Sequence, residues 1–98
     1  MKYEQEVIQW AQAKGLITQE NAHTQLLKSF EEMGEVARAL LKDNHEELID
    51  GLGDVMVTLI ILAEIKGLRL EFCLAEAYNV IKNRTGKTVN GVFIKNED

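Results

Sequence analysis

Carboxylate side chains recur at helical spacing in two neighbouring stretches of this 98-residue chain. Glu32 and Glu35 are three residues apart in the first stretch, and Asp50 and Asp54 are four apart in the second. Residues at these spacings lie on one face of an α-helix, so each pair can converge on one point. Two antiparallel helices carrying the pairs could surround a hard cation with oxygen ligands, which favours Mg²⁺, or Mn²⁺, over Zn²⁺.

The second pair of carboxylates leads directly into an apolar run. Residues 55–63 contain one polar residue, Thr58, and a helix that is apolar on all sides is buried by neighbours on every side. An unpaired ionised Asp54 at the edge of such a run would be costly, so the pair requires a counter-cation or a proton. We therefore expect Asp50 and Asp54 to point into a site, either within the chain or between subunits.

The first acidic stretch has a simpler interpretation as well. Charged residues opposite an apolar stripe usually form a solvated face. At about 100° per residue, the glutamates Glu31, Glu32 and Glu35 lie opposite such a stripe. The stripe consists of Leu26, Phe30, Met33, Ala37 and Leu40. Geometry alone leaves both interpretations of the glutamates open.

Periodicity and capping signals predict four helices. The first covers residues 3–13 and ends at Gly15, and the second runs from about 19 to 42 after Thr18 as N-cap. The third follows Asn44, with Glu47 at capping-box spacing, and the fourth runs from about 70 to 84. Residues 89–94 read as a turn and an extended tail. The expected fold is all-α, a compact bundle of about four helices with a short extended C-terminal tail.

Length and composition suggest a single domain, 1–98, whose core is completed by other subunits. A chain of this size buries only about two thirds of its unfolded surface, yet 46% of its residues are hydrophobic. We therefore expect a homo-oligomer, a dimer or tetramer. The net charge of −5 argues against nucleic acid as a partner. The apolar run is too short for a membrane span, and a lone Cys73 without a secretory signal favours the cytoplasm.

Basic residues gather near the carboxyl end. Residues 77–96 carry four bases and no acid. The cations could complement the negative end of the fourth helix, or they could bind phosphate through charge-assisted hydrogen bonds. Lys28, one turn before Glu32, could reach a ligand held there or simply be solvated. The residues near the carboxyl end that could bind phosphate are Asn79, Lys82, Arg84 and Lys87.

The two acidic stretches together resemble a known family. LLKSFEEMGEVARAL followed by ELIDGLGDVMVTLIILA is similar to the MazG-like nucleoside triphosphate pyrophosphohydrolases, all-helical Mg²⁺ enzymes marked by an E-E-x-x-E helix and then an E-x-x-D helix. Glu31, Glu32 and Glu35 match the first motif, and Asp54 matches the aspartate of the second. The resemblance extends from about residue 10 to residue 95.

One position departs from the pattern. Gly51 stands where the family has its second-motif glutamate, and the acid Asp50 sits one residue earlier. An i, i+4 pair lies on the same helix face as an i, i+3 pair, so Asp50 can take the place of the missing ligand. This departure is also the feature that most favours a different class of protein, a non-catalytic helical interaction module.

The resemblance implies an enzyme that hydrolyses a nucleoside triphosphate to the monophosphate and pyrophosphate. A phosphoribosyl-ATP pyrophosphohydrolase is a related alternative. Base preference depends on pocket contacts that helix periodicity does not locate. The implied roles fall into three groups. Catalysis would involve Glu31, as candidate general base, with Glu32 and Glu35. The Mg²⁺ ligands would be Glu32, Glu35, Asp50 and Asp54. Phosphate binding would involve Lys28, Asn79, Lys82, Arg84 and Lys87.

Overall fold

The computed structural model describes residues 1–96 as four α-helices followed by a two-stranded sheet. The helices are α1 (Glu4–Ala13), α2 (Ala22–Leu41), α3 (His45–Ile65) and α4 (Leu70–Ile81), and the strands are β1 (Gly86–Val89) and β2 (Val92–Lys95). The prediction of an all-α bundle with a short extended tail is confirmed.

Two predicted helix ends are wrong by about one turn. α2 begins at Ala22 rather than near residue 19, because Gln19–Asn21 first form a separate 3₁₀ turn and Thr18 provides no side-chain cap. α4 ends at Ile81, after which the chain turns toward β1. The predicted N-cap of α3 is confirmed, since the amide of Glu47 donates to Asn44 Oδ1 at 3.1 Å.

The extended tail is an antiparallel hairpin with a two-residue turn. Val89 pairs with Val92, and the intervening Asn90 and Gly91 have φ values of 51° and 80°. Asn and Gly tolerate this left-handed conformation, and a turn with both residues there matches the twist of the two strands. Every residue of both strands is exposed.

The core lies where α1 and the start of α2 meet the second half of α3. Its buried members are Ala11, Ala22, Ile61 and Ile65, and the partly buried residues around them are Val7, Leu16, Ile17, Val57 and Leu62. Thr58, the polar residue of the apolar run, is also buried, and its hydroxyl donates to the carbonyl of Val55 at 2.7 Å. The predicted burial of this run is therefore confirmed for its second half.

The packed face of α2 is not the apolar stripe. α2 is joined to α3 by a three-residue turn, so the two helices are antiparallel neighbours. Its buried residues are Ala22, Gln25, Ser29, Val36 and Ala39. On α3 the matching position is Gly51, where an added Cβ would lie 2.9 Å from Val36 Cγ2. Small residues let the two backbones approach closely, and this contact leaves the large apolar side chains outside.

Much apolar surface consequently remains exposed. Phe30 is 64% exposed and Leu40 65%, and α4 has no buried residue at all. Among the residues the structure describes, no helix is both long and apolar enough to span a bilayer.

Candidate functional site

The acidic cavity, as we name it, lies between α2 and α3 and has a volume of about 330 Å³. It brings together three of the carboxylates predicted as metal ligands, Glu35 from α2 and Asp50 and Asp54 from α3. Its remaining lining residues are Arg38, Lys42, Glu47 and Gly51.

The close contact between the two helices sets the width of this cavity. Gly51 lies against Val36, the residue that follows Glu35, so Glu35 faces the stretch of α3 that carries Asp50. Asp54 is one turn further along α3 on the same side. A larger residue at position 51 would push the helices apart, so the departure from the E-x-x-D pattern has a structural role here.

Two of the four carboxylates of the acidic cavity form ion pairs with cationic side chains of the same chain. Arg38 Nη1 donates to Glu35 Oε2 at 3.0 Å, and Lys42 Nζ lies 3.2 Å from Glu47 Oε2. All four side chains are at least half exposed, so each pair contributes little to stability. As the side chains stand, residues 1–96 contain no group of three or more His, Cys, Asp or Glu residues placed to ligate one metal ion.

The chemistry of the donor set nevertheless fits a hard cation. The cavity offers four carboxylates, from Glu35, Glu47, Asp50 and Asp54, and no nitrogen or sulfur atom of a His or Cys. Oxygen-only sets suit Mg²⁺ or Mn²⁺. The carboxylate of Glu35 would have to leave Arg38 to join such a site, which exposed side chains do at small cost.

Asp50 and Asp54 line the acidic cavity but are not enclosed in the single chain. Both are exposed, because full burial of α3 after the Gly51 contact begins only at Thr58, one turn after Asp54. Water can therefore solvate these carboxylates. The argument that they bind a metal therefore rests on the cavity that they share with Glu35, and not on the free-energy cost of burying a charge.

Two predicted acids lie outside the lining of the acidic cavity. Glu32 is on the packed side of α2, with 16% of its side chain exposed, and its Oε1 is 4.0 Å from Lys28 Nζ. Lys28 therefore lies beside Glu32, and its predicted contact with a ligand stays a prediction. Glu31 is exposed, one turn before Glu35 on the same flank of the helix.

Two of the predicted phosphate-binding residues, Lys82 and Arg84, line a separate basic cavity of about 600 Å³. It combines Lys82 and Arg84 with the apolar side chains Tyr78, Ile81 and Phe93, and it shares no residue with the acidic cavity. Asn79 on α4 and Lys87 on β1 are exposed nearby in sequence but do not line it. The structure therefore groups Lys82 with Arg84 but does not place them among the acids of their own chain.

Sequence reasoning missed three residues of the acidic cavity. Glu47 stands at capping-box spacing, which assigns its side chain to the helix cap, but in the structure its backbone amide is the group that donates to Asn44. Its carboxylate instead pairs with Lys42 and lines the cavity. Arg38 and Lys42 follow Glu35 by three and seven residues, a helical spacing that indicates a common face.

An aromatic cavity of about 390 Å³ adjoins the acidic one. Asp54 lines both, since it lies between α2 and α1 on the surface of α3. The other residues of the aromatic cavity are Val57 on α3 and Tyr3, Glu6, Val7 and Trp10 at or in α1.

Comparisons with known proteins agree with this architecture. The model of the MazG nucleotide pyrophosphohydrolase domain matches residues 19–90, well over half of the chain, and the protein belongs to this family. It is also 32% identical over 56 residues to an uncharacterized 18.2 kDa protein from the rep-hol intergenic region of Haemophilus phage HP1. That alignment covers 57% of this chain but 34% of the phage protein, so the chain spans about a third of that relative. No solved structure matches.

Proposed function

We propose that this protein is a Mg²⁺-dependent pyrophosphohydrolase that converts a nucleoside triphosphate to the monophosphate and pyrophosphate. The observation that carries this proposal is the acidic cavity, which Glu35, Asp50 and Asp54 line from two helices of a MazG family member. Membership of a family of nucleotide pyrophosphohydrolases supplies the class of reaction.

The residues proposed to hold Mg²⁺, or Mn²⁺, are Glu35, Asp50 and Asp54, together with Glu32 one turn earlier on α2. A bound divalent cation would supply charge neutralisation at the phosphate oxygens and an activated water as nucleophile. Position 51 has no room for a glutamate side chain, because an added Cβ would lie 2.9 Å from Val36 Cγ2. Asp50, one residue earlier, is therefore proposed to supply the ligand that the second motif otherwise provides.

Other residues of the chain have proposed roles around this centre. Glu31 lies one turn from Glu35 on an exposed flank and is proposed to accept a proton from the attacking water. Arg38, once released from Glu35, and Lys28 lie close enough to the acids to contact a substrate phosphate. The proposed partners of the departing pyrophosphate are Lys82 and Arg84, aided by Asn79 and Lys87.

A second copy of the chain is proposed to complete the site. The basic cavity and the acidic cavity are separate within one chain, so their cooperation requires another subunit. The Cα radius of gyration is 16.1 Å, against about 13 Å for a compact chain of 100 residues. An exposed α4 and an exposed apolar stripe on α2 both provide surface for a dimer or tetramer.

A non-catalytic helical interaction module is the alternative to an enzyme, and one observation favours it. The ion pairs of Glu35 with Arg38 and of Glu47 with Lys42 neutralise part of the acidic cavity without any metal. In a module those pairs would be permanent, and Mg²⁺ would not bind.

A panel of ribo- and deoxyribonucleoside triphosphates, with phosphoribosyl-ATP included, tests the proposal by direct measurement of released pyrophosphate. We expect release from at least one nucleoside triphosphate with Mg²⁺, complete loss of release with a chelator, and recovery when Mg²⁺ is restored. Pyrophosphate release only from phosphoribosyl-ATP would show that this compound, and not a nucleoside triphosphate, is the substrate. No release from any compound, together with no Mg²⁺ binding by calorimetry, would overturn the proposal in favour of the module.

A further inference from the structure

We propose that Glu4 is a positioning residue for the hydrolysis. Its carboxylate, which belongs to α1, caps α4 and thereby sets the direction in which α4 carries Lys82 and Arg84. This inference rests on the proposed function and adds a residue that acts on the basic cavity without touching the substrate. Residues 1–18 lie outside the family match, so Glu4 belongs to a part of the chain that the match does not cover.

Glu4 is a buried acid whose hydrogen bond joins two helices. It is 6% exposed, and the backbone amide of Glu71 donates to its Oε2 atom at 2.9 Å. The first amides of an α-helix have no partner within the helix, and Glu71 is the second residue of α4. A buried carboxylate in turn needs a donor, because burial without one is costly. The contact therefore satisfies two polar groups at once.

The residue that precedes α4 does not provide this cap itself. Arg69 is in the N-cap position and makes no side-chain cap hydrogen bond, since a guanidinium group has no acceptor. A Ser, Thr, Asp or Asn there would cap α4 in whatever direction the helix pointed. A cap supplied by Glu4 differs, because hydrogen bonds are directional and Glu4 is held by another helix. The cap of α4 therefore also fixes the start of α4 relative to α1.

Arg69 connects the start of α4 to two helices. Its Nη1 atom donates to Gln5 Oε1 at 2.8 Å, and its Nε atom lies 3.1 Å from Glu64 Oε2 near the end of α3. The amino group of Met1 also pairs with the Glu71 carboxylate. Within residues 1–96, the hydrogen bonds and ion pairs between α4, with its N-cap, and other helices all belong to one group of side chains. We call this group the polar junction, and it consists of Glu4, Gln5, Glu64, Arg69 and Glu71.

The rest of α4 has no comparable attachment. No residue of Leu70–Ile81 is buried. These 12 residues span about 18 Å, so a tilt of roughly 10° at the polar junction would move the far end by about 3 Å. Lys82 and Arg84 directly follow that end. Since a misplacement of about 1 Å can reduce turnover about 100-fold, the angle of α4 at the polar junction controls what these two cations contact.

Hydrogen exchange followed by mass spectrometry tests the attachment of α4. In Glu4→Ala we expect the amides of residues 70–81 to exchange at least about 5-fold faster. Residues 22–65 should keep their rates, because the contact between α2 and α3 does not involve Glu4. Glu4→Gln keeps an acceptor oxygen and should restore wild-type exchange. Glu76→Ala, which removes an exposed acid of α4 outside the polar junction, is the matched control. Faster exchange throughout the chain, or unchanged exchange in residues 70–81, would overturn the proposal.

Turnover tests whether this attachment serves the basic cavity. Glu4→Ala should reduce kcat by roughly 10-fold with the affinity for Mg²⁺ unchanged, because displaced cations stabilise the departing pyrophosphate less well. In a Lys82→Ala background the same substitution should reduce kcat by no more than about 3-fold, since residues that act through one group are not additive. An equal loss in both backgrounds would show that Glu4 does not act through the basic cavity.

Arg69→Gln provides the test in case Glu4→Ala does not fold. The Arg69 side chain is about half exposed, so loss of its contacts with Gln5 and Glu64 costs little stability. We expect faster exchange in residues 70–81 and a kcat about 2- to 5-fold lower, in keeping with the strength of exposed polar contacts. Wild-type exchange together with wild-type kcat in this variant would contradict the role of the polar junction.

Failure of this proposal and failure of the proposed function give different results. Wild-type pyrophosphate release with the same kcat in Glu4→Ala and Glu76→Ala would overturn the role of Glu4 and leave the proposed function intact. No pyrophosphate release by the wild type would overturn the proposed function and the positioning role with it, even where hydrogen exchange shows that Glu4 holds α4.

Discussion

The acidic and basic cavities differ in what fixes their geometry. In the acidic cavity the contact of Gly51 with Val36 sets the separation of α2 and α3, so the single chain already places Glu35 opposite Asp50. In the basic cavity Lys82 and Arg84 follow the end of α4, which has no buried residue. The acidic half of the proposed site is therefore positioned by a helix contact within one chain, whereas the basic half follows a helix with no buried residue.

Breaking the proposed subunit contact should have the largest effect. Phe30→Asp places a charge in the exposed apolar stripe of α2, and burying that charge between subunits would be costly. Light scattering should show an oligomer for the wild type and a monomer for the variant, with pyrophosphate release lost in parallel. Thr24→Asp adds the same charge on the polar side of α2 and should leave the oligomer intact. A monomeric wild type at micromolar concentration would contradict the proposed assembly.

Removing the cations of the basic cavity should weaken turnover without disturbing the acidic one. Lys82→Ala or Arg84→Ala is expected to reduce the rate of pyrophosphate release by roughly 100-fold, the usual effect of losing one electrostatic donor. Mg²⁺ binding in the absence of nucleotide, measured by calorimetry, should not change. Lys95→Ala removes a base of β2 outside the cavity and serves as control. Equal losses in Lys82→Ala and Lys95→Ala would indicate a general charge effect.

The helix contact that shapes the acidic cavity can be tested through stability. Gly51→Ala should lower the free energy of unfolding by about 1–3 kcal/mol, because the added methyl group is too close to Val36. Gly53→Ala meets nothing within 4 Å and should raise it by up to about 1 kcal/mol, since alanine favours the helix. Urea unfolding of both variants gives the comparison, and a stabilised Gly51→Ala would show that the contact does not set the helix spacing.

The smallest expected effect is on the affinity for Mg²⁺ when the ion pair between Arg38 and Glu35 is removed. Arg38→Gln frees the Glu35 carboxylate and should raise the affinity for Mg²⁺ by about 2- to 5-fold, in keeping with the modest strength of exposed ion pairs. Arg69→Gln breaks a comparable pair with Glu64 away from the acidic cavity and should leave the affinity unchanged. Calorimetry that shows the same affinity for both variants would mean that Glu35 is not a ligand.

The sequence predicted the elements better than their contacts. Local signals define the helices, as at Asn44, whose side chain caps α3, and at Asn90–Gly91, whose conformations make the turn of the hairpin. The packed face of α2 was not predictable from hydrophobicity, because the close approach at Gly51 selects small residues and excludes the larger ones of the stripe.

The residues of the candidate site also fall into a group that the sequence predicts and a group that it does not. Helical spacing predicts Glu35, Asp50 and Asp54 as ligands, and the pairing of α2 with α3 places all three in the lining of one cavity. The aromatic cavity joins Tyr3 and Trp10 with Asp54, residues more than forty positions apart, and only tertiary packing of α1 on α3 places them side by side. Spacing within one helix carries no information on such a neighbour.

Pyrophosphate release by Glu35→Gln and Asp54→Asn is the most direct test of the account. Both variants should lose hydrolysis of the preferred nucleoside triphosphate and Mg²⁺ binding, while their free energy of unfolding in metal-free buffer stays the same or rises because repulsion among the acids is relieved. Glu46→Gln, which removes an acid of α3 outside the acidic cavity, should keep wild-type turnover. Near wild-type pyrophosphate release from Glu35→Gln and Asp54→Asn would contradict the proposed role of the acidic cavity.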